Sequence, residues 1–204
     1  MEAQPASQPE ARNYAADQRP GHYFIALLPS SDLTEEVRAL QQEFADRFHA
    51  SRALRLPPHL TLQPPFFLVP GRLEAFTGRL AAYFGARQPL ALELDGFGSF
   101  SHPRQPVIFI QPRPHAGLLA LYLGLAGLMR EAGEAGLVPR SQPVRDWHPH
   151  LTLAYRDLKP AAFGAAWAEF RHRAFRRRME VSSAWLLTRE KERWVPRRDF
   201  PFHN

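Results

Sequence analysis

The chain has 204 residues and a net charge of +6; 45% of the residues are apolar, 12% are aromatic and none is cysteine. That length suits one domain or two small lobes with a sizeable core, and the composition is that of a globular chain. The missing thiols exclude disulfides, cysteine nucleophiles and cysteine-ligated zinc, and they suit an intracellular, here cytoplasmic, location.

Residues 1–19 hold Pro, Gln, Ala and scattered charges. They lack the roughly 7–15-residue apolar stretch of a signal peptide and read as a disordered tail ahead of a single domain over residues 20–204. His22–Leu28 is an apolar run ending at Pro29, which predicts a buried first strand. Ser31 or Asp32 can cap the next segment, where Leu33, Val37, Leu40, Phe44 and Phe48 recur at helical spacing to about His49. Arg55–Leu62 is predicted as the second strand, ended by Pro64-Pro65, and Leu73–Phe84 as the second helix.

Leu90–Leu94 and Val107–Ile110 predict two adjacent strands around a Gly- and Pro-rich connection. Within it, Gly96-Phe97-Gly98-Ser99-Phe100-Ser101 looks like the start of a dinucleotide fingerprint. It lacks the third glycine and Pro103 follows, so it reads as a loop. Ala116–Glu134 is a leucine-rich helix; its greasy run, Leu118–Met129, is too short to span a bilayer, so no membrane partner is expected. His148–Tyr155 is a strand, Ala161–Phe170 a helix, and Val181–Arg189 with Glu192–Pro196 a closing hairpin. From Arg171 to Asn204 ten Arg or Lys face four Asp or Glu, which is the whole charge excess. Such a segment suits a polyanion such as RNA, or is simply a solvated charged face.

One word occurs twice in this chain: Pro58-His59-Leu60-Thr61-Leu62 and Pro149-His150-Leu151-Thr152-Leu153. Chance gives such a repeat about one time in fifty. On a strand, alternate side chains share a face. His59 and Thr61 therefore face one way and Leu60 and Leu62 the other, and the second copy divides alike. Each motif is followed by a helix and then two strands, so the two halves match. Helices on one face of each sheet make the fold α+β, with two pseudo-symmetric lobes, each a mainly antiparallel sheet, and a groove between them.

Two imidazoles in one groove allow one to take a proton while the other gives one. Cleavage of a phosphodiester needs that division, since the attacking oxygen loses a proton and the leaving oxygen gains one. Thr61 and Thr152 can donate to the non-bridging oxygens as charge builds there. No metal or other cofactor is required. A zinc reading would use His148 and His150 with a third ligand, but no carboxylate lies in phase on either strand.

The two His-x-Thr-x motifs, 91 residues apart in matching halves, resemble those of the two-histidine (2H) phosphoesterase superfamily. The nearest branch is the RNA 2′,3′-cyclic phosphodiesterase, or 2′-5′ RNA ligase, family. The resemblance covers the chain from about His22 to the C-terminus. It implies a bilobal fold with facing motifs and metal-free attack of water on a 2′,3′-cyclic phosphate to leave a 2′-phosphate. In some relatives it also implies reversible 2′-5′ joining of RNA ends. By analogy His59 protonates the leaving 3′ oxygen and His150 activates the nucleophile. Relatives often carry a basic residue after the second motif; Arg156 occupies that place, in phase with His150 and Thr152, and can pair with a phosphate oxygen. Gln63 is in phase with His59 and Thr61 and is expected to line the groove, where Ala154 is its counterpart. Phe66 and Phe67 are candidates to stack on a base, or are core. The expected partner is an RNA end or a nucleotide with a cyclic phosphate, and the expected state a monomer engaged in RNA processing. A groove kept only for binding RNA or nucleotide, and a diesterase for a small nucleotide metabolite, are the alternatives.

Overall fold

The computed structural model describes residues 21–139 and 146–203; the N-terminal segment read as a tail lies outside them. In chain order the elements are β1 (Gly21–Leu27), α1 (Ser31–Phe48), a 3₁₀ turn (Arg52–Arg55), β2 (Leu60–Leu68), α2 (Leu73–Gly85), β3 (Leu90–Phe100) and β4 (Val107–Pro112). Then follow α3 (Ala116–Glu134), β5 (Leu151–Ala154), α4 (Pro160–Phe170), β6 (Arg176–Val181), β7 (Ser183–Glu190) and β8 (Arg193–Pro201). The fold is α+β. The eight strands form one antiparallel sheet in the order β6-β3-β4-β5-β2-β1-β7-β8.

The two lobes are the two four-stranded halves of that sheet. They meet where β5 lies beside β2, through the single residue pair Leu60↔Leu151. Leu60, Leu62, Leu151 and Leu153 are fully buried in the main core. Helix α1 packs under β5 and α3 under β2, so each helix crosses to the other half's motif strand. Helix α1 turns its buried Leu33, Val37, Leu40 and Phe44 inward, as a 3.6-residue period requires.

Four sequence expectations are corrected. The side-chain cap of α1 is Ser30, which accepts from the Leu33 N–H, rather than Ser31 or Asp32. β2 does not stop at Pro64-Pro65: between the pairs Tyr23↔Phe66 and Ile25↔Gln63, both prolines stand opposite Phe24 alone. A bulge thus tolerates residues that cannot donate to a ladder. The stretch from Gly96 to Phe100 is part of β3, not a loop. Its register shifts between Leu94 and Phe97, and Gly96 sits in the bulge at φ 73°, where a side chain would be strained. Gly98, next along, lies so close to Phe109 that an added Cβ would fall 2.3 Å from the ring.

The fourth correction is β6, an additional edge strand on β3. Arg176, Arg177 and Arg178 in succession disguised it, yet Met179 and Val181 are each only 1% exposed. Charged side chains on an outer strand also discourage edge-to-edge association. Much of the basic C-terminal segment, on β6 and beyond it, is paired with carboxylates. Arg173 pairs with Glu43, Arg176 with Asp95, Arg177 with Glu36, Arg178 with Glu180, Arg189 with Glu192 and Arg198 with Glu74.

Candidate active site

His59 and His150 each stand one residue ahead of a motif strand, so the fully buried Leu60 and Leu151 turn both imidazoles to the opposite face of the sheet. About the single pair Leu60↔Leu151 the antiparallel order brings the His59 end of one motif toward Thr152 and the His150 end of the other toward Thr61. The two motifs thus form one patch across the joint between the halves.

The two rings are held in the same way. His59 Nδ1 lies 2.8 Å from the Pro57 carbonyl oxygen, and His150 Nδ1 lies 2.7 Å from that of His148. A carbonyl only accepts, so each ring donates from Nδ1 and leaves Nε2 free for chemistry. His59 leans on Phe24 of β1 (ring centroids 4.9 Å apart), and His150 leans on Phe109 of β4 at 5.0 Å. Both phenylalanines are 2% exposed, so each imidazole has an immobile support. Burial drives the His59 pKa down to about 4, partly opposed by the bond to Pro57, with the nearby His150 lowering it further. Burial likewise lowers His150, opposed by its bond to the His148 carbonyl. At neutral pH both rings are therefore neutral before an anion arrives.

A cavity of about 380 Å³ opens on this face, lined by His59, Thr61, Thr152 and Arg156 among others. His150 is partly exposed beside it and is not one of the lining residues. Neither threonine hydroxyl has a hydrogen-bond partner among the described residues, so both are available to a ligand. Arg156 has φ 60°, a left-handed conformation uncommon for a side-chain-bearing residue. Its guanidinium lies 5.6 Å from the Tyr155 ring centroid.

Two of the candidate residues are elsewhere. Phe66 is 7% exposed and packs in the core against Tyr23 and Phe76; it is in phase with Leu60 and Leu62, which carries it inward. Gln63 turns its amide to the adjacent Pro64 carbonyl at 3.3 Å, beside the bulge, and does not line the cavity. Phe67 is 49% exposed but is already stacked on His22 at 4.6 Å. His148 packs edge-on against Phe100 and Phe109.

Other residues at the site left little trace in the sequence. The Gln41 amide donates to the Thr152 carbonyl at 2.9 Å, and the Trp147 indole donates to the Thr61 carbonyl at 3.0 Å. Each half thereby holds the other half's threonine where the two strands part after one residue pair. Trp147 is itself stacked flat on Tyr122, 4.1 Å between centroids. Gln41 had one visible signal, a polar residue within an apolar helical stripe, and it is 2% exposed. Gln41→Leu removes this bond to the Thr152 carbonyl. It is expected to cost about 1–3 kcal/mol in denaturant unfolding and to lower kcat more than KM.

Residues 22–193 match the family model of the 2′-5′ RNA ligase superfamily. The chain belongs to that superfamily, the 2H phosphoesterases. It is 27% identical over 150 residues to a provisionally named phosphoesterase of Geobacillus sp. (strain WCH70), covering 73% of this chain and 77% of that one. It is 30% identical over 99 residues to another from Bacillus pumilus, covering 48% and 54%. Among solved structures, E. coli LigT complexed with 3′-AMP is similar in fold, with a TM-score of 0.59, 22% identity and coverage of 91% of this chain and 100% of that one. A Thermus thermophilus protein, TT0787, has a TM-score of 0.60, 21% identity and coverage of 90% and 98%. E. coli LigT has also been crystallised with NADP+, with a TM-score of 0.55 and 22% identity over 91% of this chain and 99% of that one. Among the described residues of this 2H phosphoesterase, no helix is long and apolar enough to cross a membrane.

Proposed function

We propose that this 2H phosphoesterase opens 2′,3′-cyclic phosphates, at RNA ends or on nucleotides, to 2′-phosphates, with reversible 2′-5′ joining when an RNA 5′-hydroxyl takes the place of water. The observation that carries the reading is the cross-strand alignment of the two His-x-Thr pairs about Leu60↔Leu151. A phosphate seated on that patch meets an imidazole Nε2 from each half and two unengaged hydroxyls. The complexes of LigT, a protein of similar fold, with 3′-AMP and NADP+ support a nucleotide-sized ligand here.

The step balances with these groups alone. His150 Nε2 takes a proton from water as its oxygen bonds to phosphorus. The bond from phosphorus to the 3′ oxygen breaks, and that oxygen takes a proton from His59. With an RNA 5′-hydroxyl in place of water the same step leaves a 2′-5′ phosphodiester; in reverse the 3′-hydroxyl attacks phosphorus and gives its proton to His59, and His150 protonates the departing 5′ oxygen. Thr61, Thr152 and Arg156 bind the equatorial oxygens, whose charge grows toward the transition state. The direction of acid and base follows the family resemblance.

Turnover of a 2′,3′-cyclic nucleotide, followed by the appearance of the 2′-phosphate, tests this reading. Undiminished rates after dialysis against a chelator are expected. Binding without any turnover would make the groove a recognition site, and loss of activity restored by a divalent ion would replace the two-histidine step.

A further inference from the structure

Beyond the histidine pair the cavity runs to the 3₁₀ turn, where Arg52 and Arg55 line it together with Arg156. These three arginines have no carboxylate partner among the described residues, unlike the paired arginines of the C-terminal segment and unlike Arg189 at the opposite lip, which faces Glu192 at 3.6 Å. They gather round one side chain: burial raises the Tyr155 phenol, and the charges of Arg156, Arg52 and Arg55 act against that while Asp157 adds to it. Like charges so placed repel one another, so the gathering is imposed by the fold.

The means is Asp157. Its Oδ2 accepts the backbone N–H groups of Ser51 and Arg52, both at 2.9 Å, and the Ser51 hydroxyl at 3.4 Å. Oδ2 thus ties the 3₁₀ turn to the end of the second motif, while Oδ1 is buried without a hydrogen-bond partner among the described residues. Arg156, immediately before it, holds its left-handed conformation. Three guanidiniums face the single Asp157 carboxylate here, which leaves more positive charge than the one negative charge of a cyclic phosphate diester matches.

We propose that Arg52 and Arg55 form a second anion subsite, which takes a phosphate neighbouring the one being opened. The proposal rests on the phosphodiesterase reading and adds the substrate class: a cyclic phosphate whose nucleoside carries a further phosphate. That phosphate has two sources, the preceding phosphodiester of an RNA 3′ end or the 5′-phosphate of a free nucleotide. A charge-assisted guanidinium–phosphate contact is the natural occupant of such a cradle.

The test compares three substrates: adenosine 2′,3′-cyclic phosphate, the same compound with a 5′-phosphate, and a dinucleotide ending in a 2′,3′-cyclic phosphate. At least one of the two-phosphate substrates is expected to exceed the first about tenfold or more in kcat/KM, chiefly through KM, with an advantage that shrinks as salt is added. Gain with the dinucleotide alone identifies RNA ends, and gain with the 5′-phosphate identifies free nucleotides. In Arg52→Gln/Arg55→Gln the ratio between substrates should fall to about one, and Lys at both positions should restore part of it. A variant that slows all three substrates equally, or a wild-type ratio near one, overturns the subsite. A readout without turnover separates this outcome from failure of the phosphodiesterase reading. Adenosine 2′,5′-bisphosphate should bind about tenfold tighter than the 2′-monophosphate, and the double variant should abolish the difference even if no diester is cleaved.

Discussion

His59→Ala and His150→Ala are each expected to lower kcat/KM for a 2′,3′-cyclic nucleotide by at least about a hundredfold, the low end for removing a general acid or base. Neither ring supports the core: each is bonded only to a local carbonyl and rests on a phenylalanine that is packed without it. Unfolding curves of both variants should therefore stay close to wild type, which separates lost chemistry from lost fold. Near-normal turnover in either variant would remove that ring from the reaction. A leaving-group test then divides the roles. With a p-nitrophenyl phosphodiester, whose leaving oxygen needs no proton, the variant lacking the acid should recover most of its deficit, and by the family analogy that variant is His59→Ala.

The pH dependence follows from the same burial. Free His59 titrates at about 4 and His150 below its ordinary value. The base must be neutral and the acid protonated, so kcat/KM, which reports the free enzyme, should trace a bell with both limbs below about 6.5 and fall between pH 6.5 and 8. The two apparent values belong to the pair. A bound phosphate favours the charged imidazole, so the kcat profile should be displaced upward in pH. A kcat/KM that rises steadily through neutrality would contradict paired, depressed histidines. Stability carries the opposite sign at low pH. An unfolded chain protonates this histidine near 6.5 while the folded one resists to about 4. Tm should therefore fall as the pH is lowered through that interval, and less so in His59→Ala.

Leu60→Ala is expected to be the most damaging change outside the chemistry. The side chain is 0% exposed and is paired across the joint with Leu151. Truncating a buried leucine costs about 2–5 kcal/mol, a large share of a stability near 5–15 kcal/mol. Leu123→Ala, at a position 58% exposed, should remain within about 0.5 kcal/mol of wild type. Urea unfolding distinguishes the two directly. Because Leu60 lies between His59 and Thr61, the folded fraction of Leu60→Ala should also turn over more slowly. A stable, fully active Leu60→Ala would mean that the joint does not set the histidines' positions.

The features legible in the sequence are those written in local periodicity. The leucines of α3, the apolar stripe of α1 and the alternation in both motifs each specify an element and its inner face without knowledge of the rest of the chain. What was hidden depends on partners distant in sequence. The passage of β2 through Pro64-Pro65 needs a bulge opposite Phe24, and the strand nature of Gly96–Phe100 needs β4 alongside. The edge strand β6 was concealed because its arginines pair with Asp95 and Glu36 on other elements. The same limit applies at the site: the histidines and threonines announce themselves by repetition, whereas Phe24 and Phe109 gain their roles only when neighbouring strands pair, and Gln41 and Trp147 only when the two halves come together. Arg52 and Arg55 look like ordinary surface arginines until Asp157 brings their turn to Tyr155.

The crossing of α1 beneath β5 and of α3 beneath β2 makes the repeat interdependent. A fragment cut between β3 and β4 would present Val37, Leu40 and Phe44 to water with no strand to cover them, so splitting the gene there should give two insoluble products. Co-expressed, the same two pieces have every surface needed to reconstitute each other.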